Sequence, residues 1–366
     1  MNEPLLSICI PTYNRAIFLK RMFDSIFTEL DKEAINRLEI CISDNASTDN
    51  TGKVVSDLMT KYPNNVTYER NDKNYGLAYN VFEVLKMAKG EFLLCIGDDD
   101  VFMGGAITYL LRIIAQIKKN AEIKIVFTKF SSNPGKKFVF KAFKKLQSEK
   151  MYHIREIEAY FIKDKLWSNG FLGAQIFHRD IMRGYFDDLA GQDNCNIWPH
   201  LSILLHSFKS LKKIFVSKPV ICQTGDGLYW LRANWILALF NKVEVIDTAL
   251  SREEITEYMA KRICSRILLS FVMLRLVIAA KIEDAVQFLA VVKRISAYKS
   301  SNSNMQLRIN YFKTMLNVIN LIPSLPLEVV YSFYVKGLNL RDIRMKKNGS
   351  MFRLGNKREG ISINEQ

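Results

Sequence analysis

Three consecutive carboxylates, Asp98-Asp99-Asp100, follow Gly97 at the end of the apolar run 92–96. Like charges packed so closely repel one another. A divalent cation removes that cost, and oxygen-only ligands suit Mg²⁺ or Mn²⁺ bridging to a diphosphate. Two further sites lie at the ends of apolar runs. Pro11-Thr12-Tyr13-Asn14-Arg15 combines a small hydroxyl, an aromatic, an amide and a cation, a set that could stack on a base and offer donors to phosphate. In Asp44-Asn45-Ala46-Ser47-Thr48-Asp49-Asn50-Thr51, one of Ser47, Thr48 or Asp49 caps the following helix, with Ser47 also on the nucleotide side. Capping does not account for Asp44, whose carboxylate can accept from the imino group of a pyrimidine or from a ribose hydroxyl. Taken together, the three sites describe metal-assisted transfer from a diphosphate donor.

The elements that must hold these residues alternate. Residues 5–10, 38–43, 66–69, 92–96 and 123–128 are predicted strands rich in Ile, Val, Phe and Leu. Between them, 16–30, 51–62, 77–89 and 105–119 carry helical periodicity. This alternation predicts an α/β fold with a parallel sheet and helices on both faces. Ligands of such sheets bind at the carboxyl ends of the strands, where the three sites fall. Residues 136–150 break the pattern, interleaving six lysines with Phe138, Phe140 and Phe143, as a solvated face or a membrane- or acceptor-facing element. From about residue 243 the sequence reads mostly helical. The expected organisation is 1–240 as the catalytic domain, with a nucleotide half (1–130) and an acceptor half (131–240), then a helical, basic region (241–366).

The chain has 366 residues and a formal charge of +15, unevenly spread. Residues 1–100 hold 11 Lys/Arg and 16 Asp/Glu, whereas 101–366 hold 41 and 21. A nucleic-acid-binding protein would not place its acids so, and no recognition motif for nucleic acid occurs. No signal-type start and no clean 20-residue apolar span is present, so a cytoplasmic protein is expected. Cys9, Cys41 and Cys95 lie inside apolar runs, as reduced core thiols do.

Segments 7–15, 42–51, 74–80, 90–92 and 97–100 together resemble the family 2 glycosyltransferases of the GT-A fold. The resemblance spans roughly residues 5–110; further on, the stretch Trp167 to Arg179 is similar to the family's acceptor-side strand, and Trp198-Pro199-His200-Leu201 is similar to the abequosyltransferase-type branch that builds bacterial O-antigen. It implies a nucleotide-sugar donor with Pro11, Tyr13 and Asp44 around base and ribose, and a metal at 98–100 in place of the family's DxD motif. Because Gly97 stands where the motif often begins with Asp, the ribose contact passes to Asp98, and Asp99 or Asp100 ligates Mg²⁺ or Mn²⁺. The family's inverting displacement needs a general base. No Glu-Asp pair supplies one, so Asp193 is the first candidate and His200 the second, with Asp187 and Asp188 expected in a turn. Trp230, Arg232, Asn234 and Trp235, behind Gly225-Asp226-Gly227, could face a sugar.

The expected function is single-sugar transfer from a nucleoside-diphosphate sugar to a hydroxyl of a lipid-carrier-linked surface glycan, of O-antigen or capsule type. The basic back half suits an anionic membrane surface, which places the enzyme on the inner face of the plasma membrane. A nucleotidyltransferase making the activated sugar is the alternative, and it lacks support because 11–15 contains no glycine.

Overall fold

The computed structural model describes residues 3–28, 30–132, 146–163, 172–188, 198–223, 232–268, 277–278, 280–281 and 284–321. Three strands, β1 (Leu6–Thr12), β2 (Leu38–Asp44) and β4 (Phe92–Cys95), are buried along their whole length. Near-continuous apolar strands are the signature of a parallel sheet covered on both faces. They pair as such: Leu6 lies opposite Leu38 on one side and Phe92 on the other, and β3 (Val66–Arg70) extends the sheet beyond β2, also in parallel.

The predicted strands and helices of the first 130 residues are all present, with adjusted ends. Helix α1 runs Ala16–Phe27 and stops at Thr28. The stretch predicted as its continuation instead gives way to the short helix α2 (Lys32–Asn36), because the Asp31 carboxylate accepts from the Ala34 amide at 2.8 Å and starts a new helix there. Helices α3 (Thr51–Lys61), α4 (Leu77–Met87) and α5 (Ala106–Ile117) follow, with the two-residue strand β5 (Val101–Phe102) before α5. Gly90 marks a close approach of backbones: a Cβ there would lie 2.7 Å from the Ser7 amide nitrogen and collide with its hydroxyl.

Beyond α5 the sheet changes character. Strand β6 (Ile123–Ser132) does not join β4 directly; β8 (Gln175–His178) sits between them and is antiparallel to both. Strand β9 (Lys213–Gln223) pairs in parallel with β6 and antiparallel with β5 and β7 (Lys150–His153), giving the order β3-β2-β1-β4-β8-β6-β9-β5 with β7 branching from β9. Helices α6 (Ile154–Lys163), α7 (Arg179–Asp188) and α8 (Pro199–Ser207) accompany this half. The helical reading after 243 holds, and starts earlier: α9 (Arg232–Ser251), α10 (Glu257–Leu268), α11 (Ala285–Ala297) and α12 (Ser303–Leu321) follow. Helix α9 meets α8 at Trp198, whose indole N–H donates to the Ala238 carbonyl at 2.6 Å while the Lys242 ammonium lies 4.0 Å from its ring centroid. Among the described residues, no helix is long and apolar enough to cross a membrane.

Cys9, Cys41 and Cys95 are free and buried. Cys9 is in register with both of the others, so the three thiols stand in one row across β2, β1 and β4. Burial holds the Cys9 and Cys95 thiols well above the ordinary thiol range.

Candidate active site

The parallel register brings the ends of three strands together. Thr12, last in β1, is opposite Asp44, last in β2, and β4 on the other side of β1 leads into Gly97–Asp100. The Thr12 hydroxyl donates to Asp98 Oδ2 at 2.8 Å, which ties the first loop to the acidic one across 86 residues of chain. Asp98 is buried, and that burial pushes its carboxyl up to about 7; the charge of Asp99 acts in the same direction and the Thr12 hydroxyl against it.

The turn Gly97–Asp100 closes with the Asp100 amide donating to the Gly97 carbonyl at 3.2 Å. The Arg21 guanidinium, from α1, donates to the Asp99 carbonyl at 2.9 Å. A Cβ built on Gly97 would lie 3.0 Å from Asp99 Oδ1 and 3.7 Å from Asp100 Oδ2. Both carboxylates therefore lie beside the space that the missing side chain leaves. Carboxylate oxygens are the hard donors that suit Mg²⁺ or Mn²⁺. Among the described residues, no group of three or more His, Cys, Asp or Glu could hold a metal ion by itself.

The Pro11–Arg15 and Asp44–Thr51 loops are laced to each other. Asn14 adopts a left-handed backbone (φ 53°), its amide donates to Ser47 Oγ at 2.8 Å, and its Oδ1 accepts from the Thr48 amide at 2.7 Å. The expected cap is only partly met. Asn50 is the N-cap of α3 without a side-chain bond, and Ser47 turns to Asn14 instead. Asp49 takes over part of the role: Oδ1 accepts from the Thr51 amide at 2.9 Å, and Oδ2 from the Ala16 amide at 3.2 Å, so one carboxylate serves the starts of both α3 and α1. Pro11 and Thr12 are buried, Tyr13 and Asn14 are exposed, and Arg15 is half-buried with its guanidinium 5.1 Å from the Phe18 ring centroid.

Asp44 is wholly buried. Its Oδ1 accepts from the Ser47 amide and its Oδ2 from the Tyr68 hydroxyl, both at 2.8 Å, with Arg70 Nε 3.8 Å away. Burial, and then the bond to Asp44, keep the Tyr68 phenol well above its ordinary range. Arg70 also donates to the Ser47 carbonyl at 2.8 Å and leaves about half of its side chain exposed. Asn80, buried on α4, donates to the carbonyls of Thr12 (3.2 Å) and Ser43 (2.9 Å) and accepts from the Ser43 hydroxyl (2.6 Å).

Tyr68, Arg70 and Arg21 escaped the reading of the sequence, and Asn80 stood there only as the last residue of the 74–80 motif, with no role. The first two sit at the end of β3, a strand end like the others, and that position was the available signal. Of the candidate bases, His200 is buried in the first turn of α8 with its ring edge-on to Trp198 at 5.8 Å between centroids. Asp193 lies outside the described residues, as do 136–145, 225–227 and Trp230. Arg232, Asn234 and Trp235 belong to α9, and their side chains are likewise outside the description. Asp187 and Asp188 close helix α7 rather than sitting in a separate turn, and Asp188 Oδ2 lies 3.2 Å from His206 Nε2.

A parallel βαβ nucleotide-type half continued by mixed strands, with carboxylates after the fourth strand, is the GT-A architecture. Residues 7–186, just under half of the chain, match the family described as Glycosyl transferase family 2. The chain is 36% identical over 107 residues to the abequosyltransferase RfbV of Salmonella typhimurium, covering 29% of this chain and 31% of that protein. It is also 36% identical over 111 residues to the GalNAc(5)-diNAcBac-PP-undecaprenol beta-1,3-glucosyltransferase of Campylobacter jejuni, covering 30% and 34%. The aligned stretch thus spans about a third of the length of these curated relatives. Over nearly its full length the fold is similar to the crystal structure of S. aureus TarS 1–349, with a TM-score of 0.59, 15% identity and 91% of each chain covered. That protein has also been solved in complex with UDP.

Proposed function

We propose that this protein is a glycosyltransferase moving one sugar from a nucleoside-diphosphate sugar to a hydroxyl of a glycan carried on a membrane lipid, with Mg²⁺ or Mn²⁺ and inversion at the anomeric carbon. The single observation that carries the reading is the placement of the Asp99 and Asp100 carboxylates beside Gly97 at the end of β4, tied to the first loop by the Thr12–Asp98 bond. The name of the Campylobacter relative, with its PP-undecaprenol, supports the lipid-linked acceptor, and the O-antigen or capsule type of product follows the sequence resemblance.

In this reading the exposed Tyr13 and Asn14 and the half-buried Arg15 meet base and phosphates. Arg70 reaches the same place from β3. Pro11, Thr12, Asp44 and Ser47 shape the pocket from beneath, since the Asp44 oxygens already hold Ser47 and Tyr68. Asp98, steadied by Thr12, faces the ribose. A cation held by Asp99 and Asp100, completed by donor phosphate oxygens, would supply charge stabilisation for the departing diphosphate. Asp193 is assigned to take the proton of the acceptor hydroxyl. His200, packed against Trp198, suits positioning of that segment better than proton transfer. The basic residues beyond 100 favour attachment to the inner face of the plasma membrane.

The test is a screen of UDP-, GDP-, CDP- and dTDP-sugars for donor turnover with Mn²⁺ or Mg²⁺. Asp99→Asn and Asp100→Asn should each lower kcat by about 10²-fold or more, and chelator should abolish turnover in the wild type. Turnover that survives chelation and both substitutions would sink the metal assignment.

A further inference from the structure

Helix α12 is two-faced. Met305, Ile309, Phe312, Leu316 and Ile319 are buried against the rest of the helical region. The other side shows Leu307 (70% exposed), Tyr311 (64%), Val318 (53%) and Leu321 (82%). With Thr314 between them, these positions are spaced four, three, four and three, which sets them in one stripe along the helix. On the preceding helix, α11, Val286 is 82% exposed and Leu289 37%. The two helices are joined by Lys313 of α12, whose ammonium donates to the carbonyls of Ser296 and Tyr298. Several large apolar side chains left in water on adjoining helices mark an interaction surface.

Charge selects the occupant. From residue 285 to 327 the sequence contains no Asp or Glu but has Lys293, Arg294, Lys299, Arg308 and Lys313. Arg294 is paired with Glu244 of α9, and Arg308 and Lys313 are engaged within the helical region, while Lys293 and Lys299 are exposed. A second copy of the chain would bring the same cations to the same face. Residues 322–366, with eight Lys/Arg against four Asp/Glu, are also like-charged. Glu257 of α10 accepts from Asn304 at the start of α12 and Glu244 holds Arg294, so the exposed cations left in this part are Lys293 and Lys299. An apolar stripe beside them complements a surface that is greasy beneath and negative on top.

We propose that the exposed faces of α11 and α12 dock on an anionic lipid bilayer, with Leu307, Tyr311, Val318 and Leu321 entering the headgroup–acyl boundary and Lys293 and Lys299 meeting lipid phosphates. The inference rests on the transferase reading for its purpose, since a lipid-carried acceptor is met only at a membrane. The full chain is floated with phosphatidylcholine vesicles containing or lacking phosphatidylglycerol. Wild type should float with the anionic vesicles and be released by high salt. Leu307→Gln/Tyr311→Gln/Val318→Gln, checked for native circular dichroism, should bind at least tenfold more weakly. Lys293→Gln/Lys299→Gln, which leaves the stripe intact, should bind more weakly and respond less to salt. The proposal is overturned if wild type ignores phosphatidylglycerol, if the stripe variant floats like wild type, or if light scattering shows that the stripe variant merely splits a dimer. Donor hydrolysis without vesicles reports the transferase reading separately: binding without turnover sinks that reading alone, and turnover without binding sinks the docking face alone.

Discussion

Asp44 and Tyr68 illustrate how a buried carboxylate can matter without touching a ligand. Neither Asp44 oxygen is open to water, and the phenol of Tyr68 donates to one of them at 2.8 Å. Removing that donor leaves a buried charge short of one hydrogen bond, a loss of about 1–3 kcal/mol. Tyr68→Phe should therefore loosen the second loop and raise the donor KM by roughly 5- to 140-fold, with kcat changed far less, because the acidic turn at 97–100 is untouched. Steady-state kinetics with the preferred nucleotide sugar checks this, and an unchanged KM would remove Tyr68 from the binding account. The residue also marks a limit of the sequence. The acidic triplet, the 11–15 turn and Asp44 stood out by type and by place after apolar runs. The Thr12–Asp98 and Tyr68–Asp44 bonds join positions 86 and 24 residues apart, and only the strand register brings them together.

The strands of the first half were legible because each is a short apolar run bounded by polar residues, which a doubly covered parallel sheet demands. Strand β8 was marked by the resemblance of residues 167–179 to the family's acceptor-side strand, but its place was not. It has four residues, and its antiparallel seat depends on pairing across more than 80 positions to β4 and about 50 to β6. His178 ends β8 opposite Phe92, ring edge-on at 5.0 Å, and its Nδ1 accepts from the Asp180 amide at 3.2 Å. Burial lowers its pKa from the ordinary 6.5, against the pull of Asp180, so the imidazole stays neutral where a free one would be charged. The unfolded chain then binds the extra proton. The stability this gives is full above about pH 6.5 and declines as pH falls toward the lowered value. Urea melts from pH 7.5 to 5 should show that decline, and His178→Phe should flatten it; an unaltered slope would place the effect elsewhere.

Across the whole molecule the charge is divided by depth as well as by sequence. The acids that matter most, Asp44, Asp98 and Asp100, are buried at the strand ends, whereas Lys293 and Lys299 are exposed in the helical region that carries the apolar stripe. The net charge of +15 hides that contrast, which becomes visible only when the chain is split near residue 100. The row of thiols in β2, β1 and β4 has a practical consequence. Cys9 and Cys41 occupy the middle of β1 and β2 and Cys95 the end of β4, the strands that carry the active-site loops, and each is almost wholly inaccessible. A water-soluble alkylating agent can reach them only when those strands part, an event set by the opening equilibrium of the sheet rather than by thiol chemistry. Timed alkylation read by mass spectrometry should therefore mark the three together and slow markedly once a nucleotide is bound, turning the core itself into a clock for ligand-linked rigidity. Labelling of one thiol well ahead of the other two would show instead that the sheet frays strand by strand.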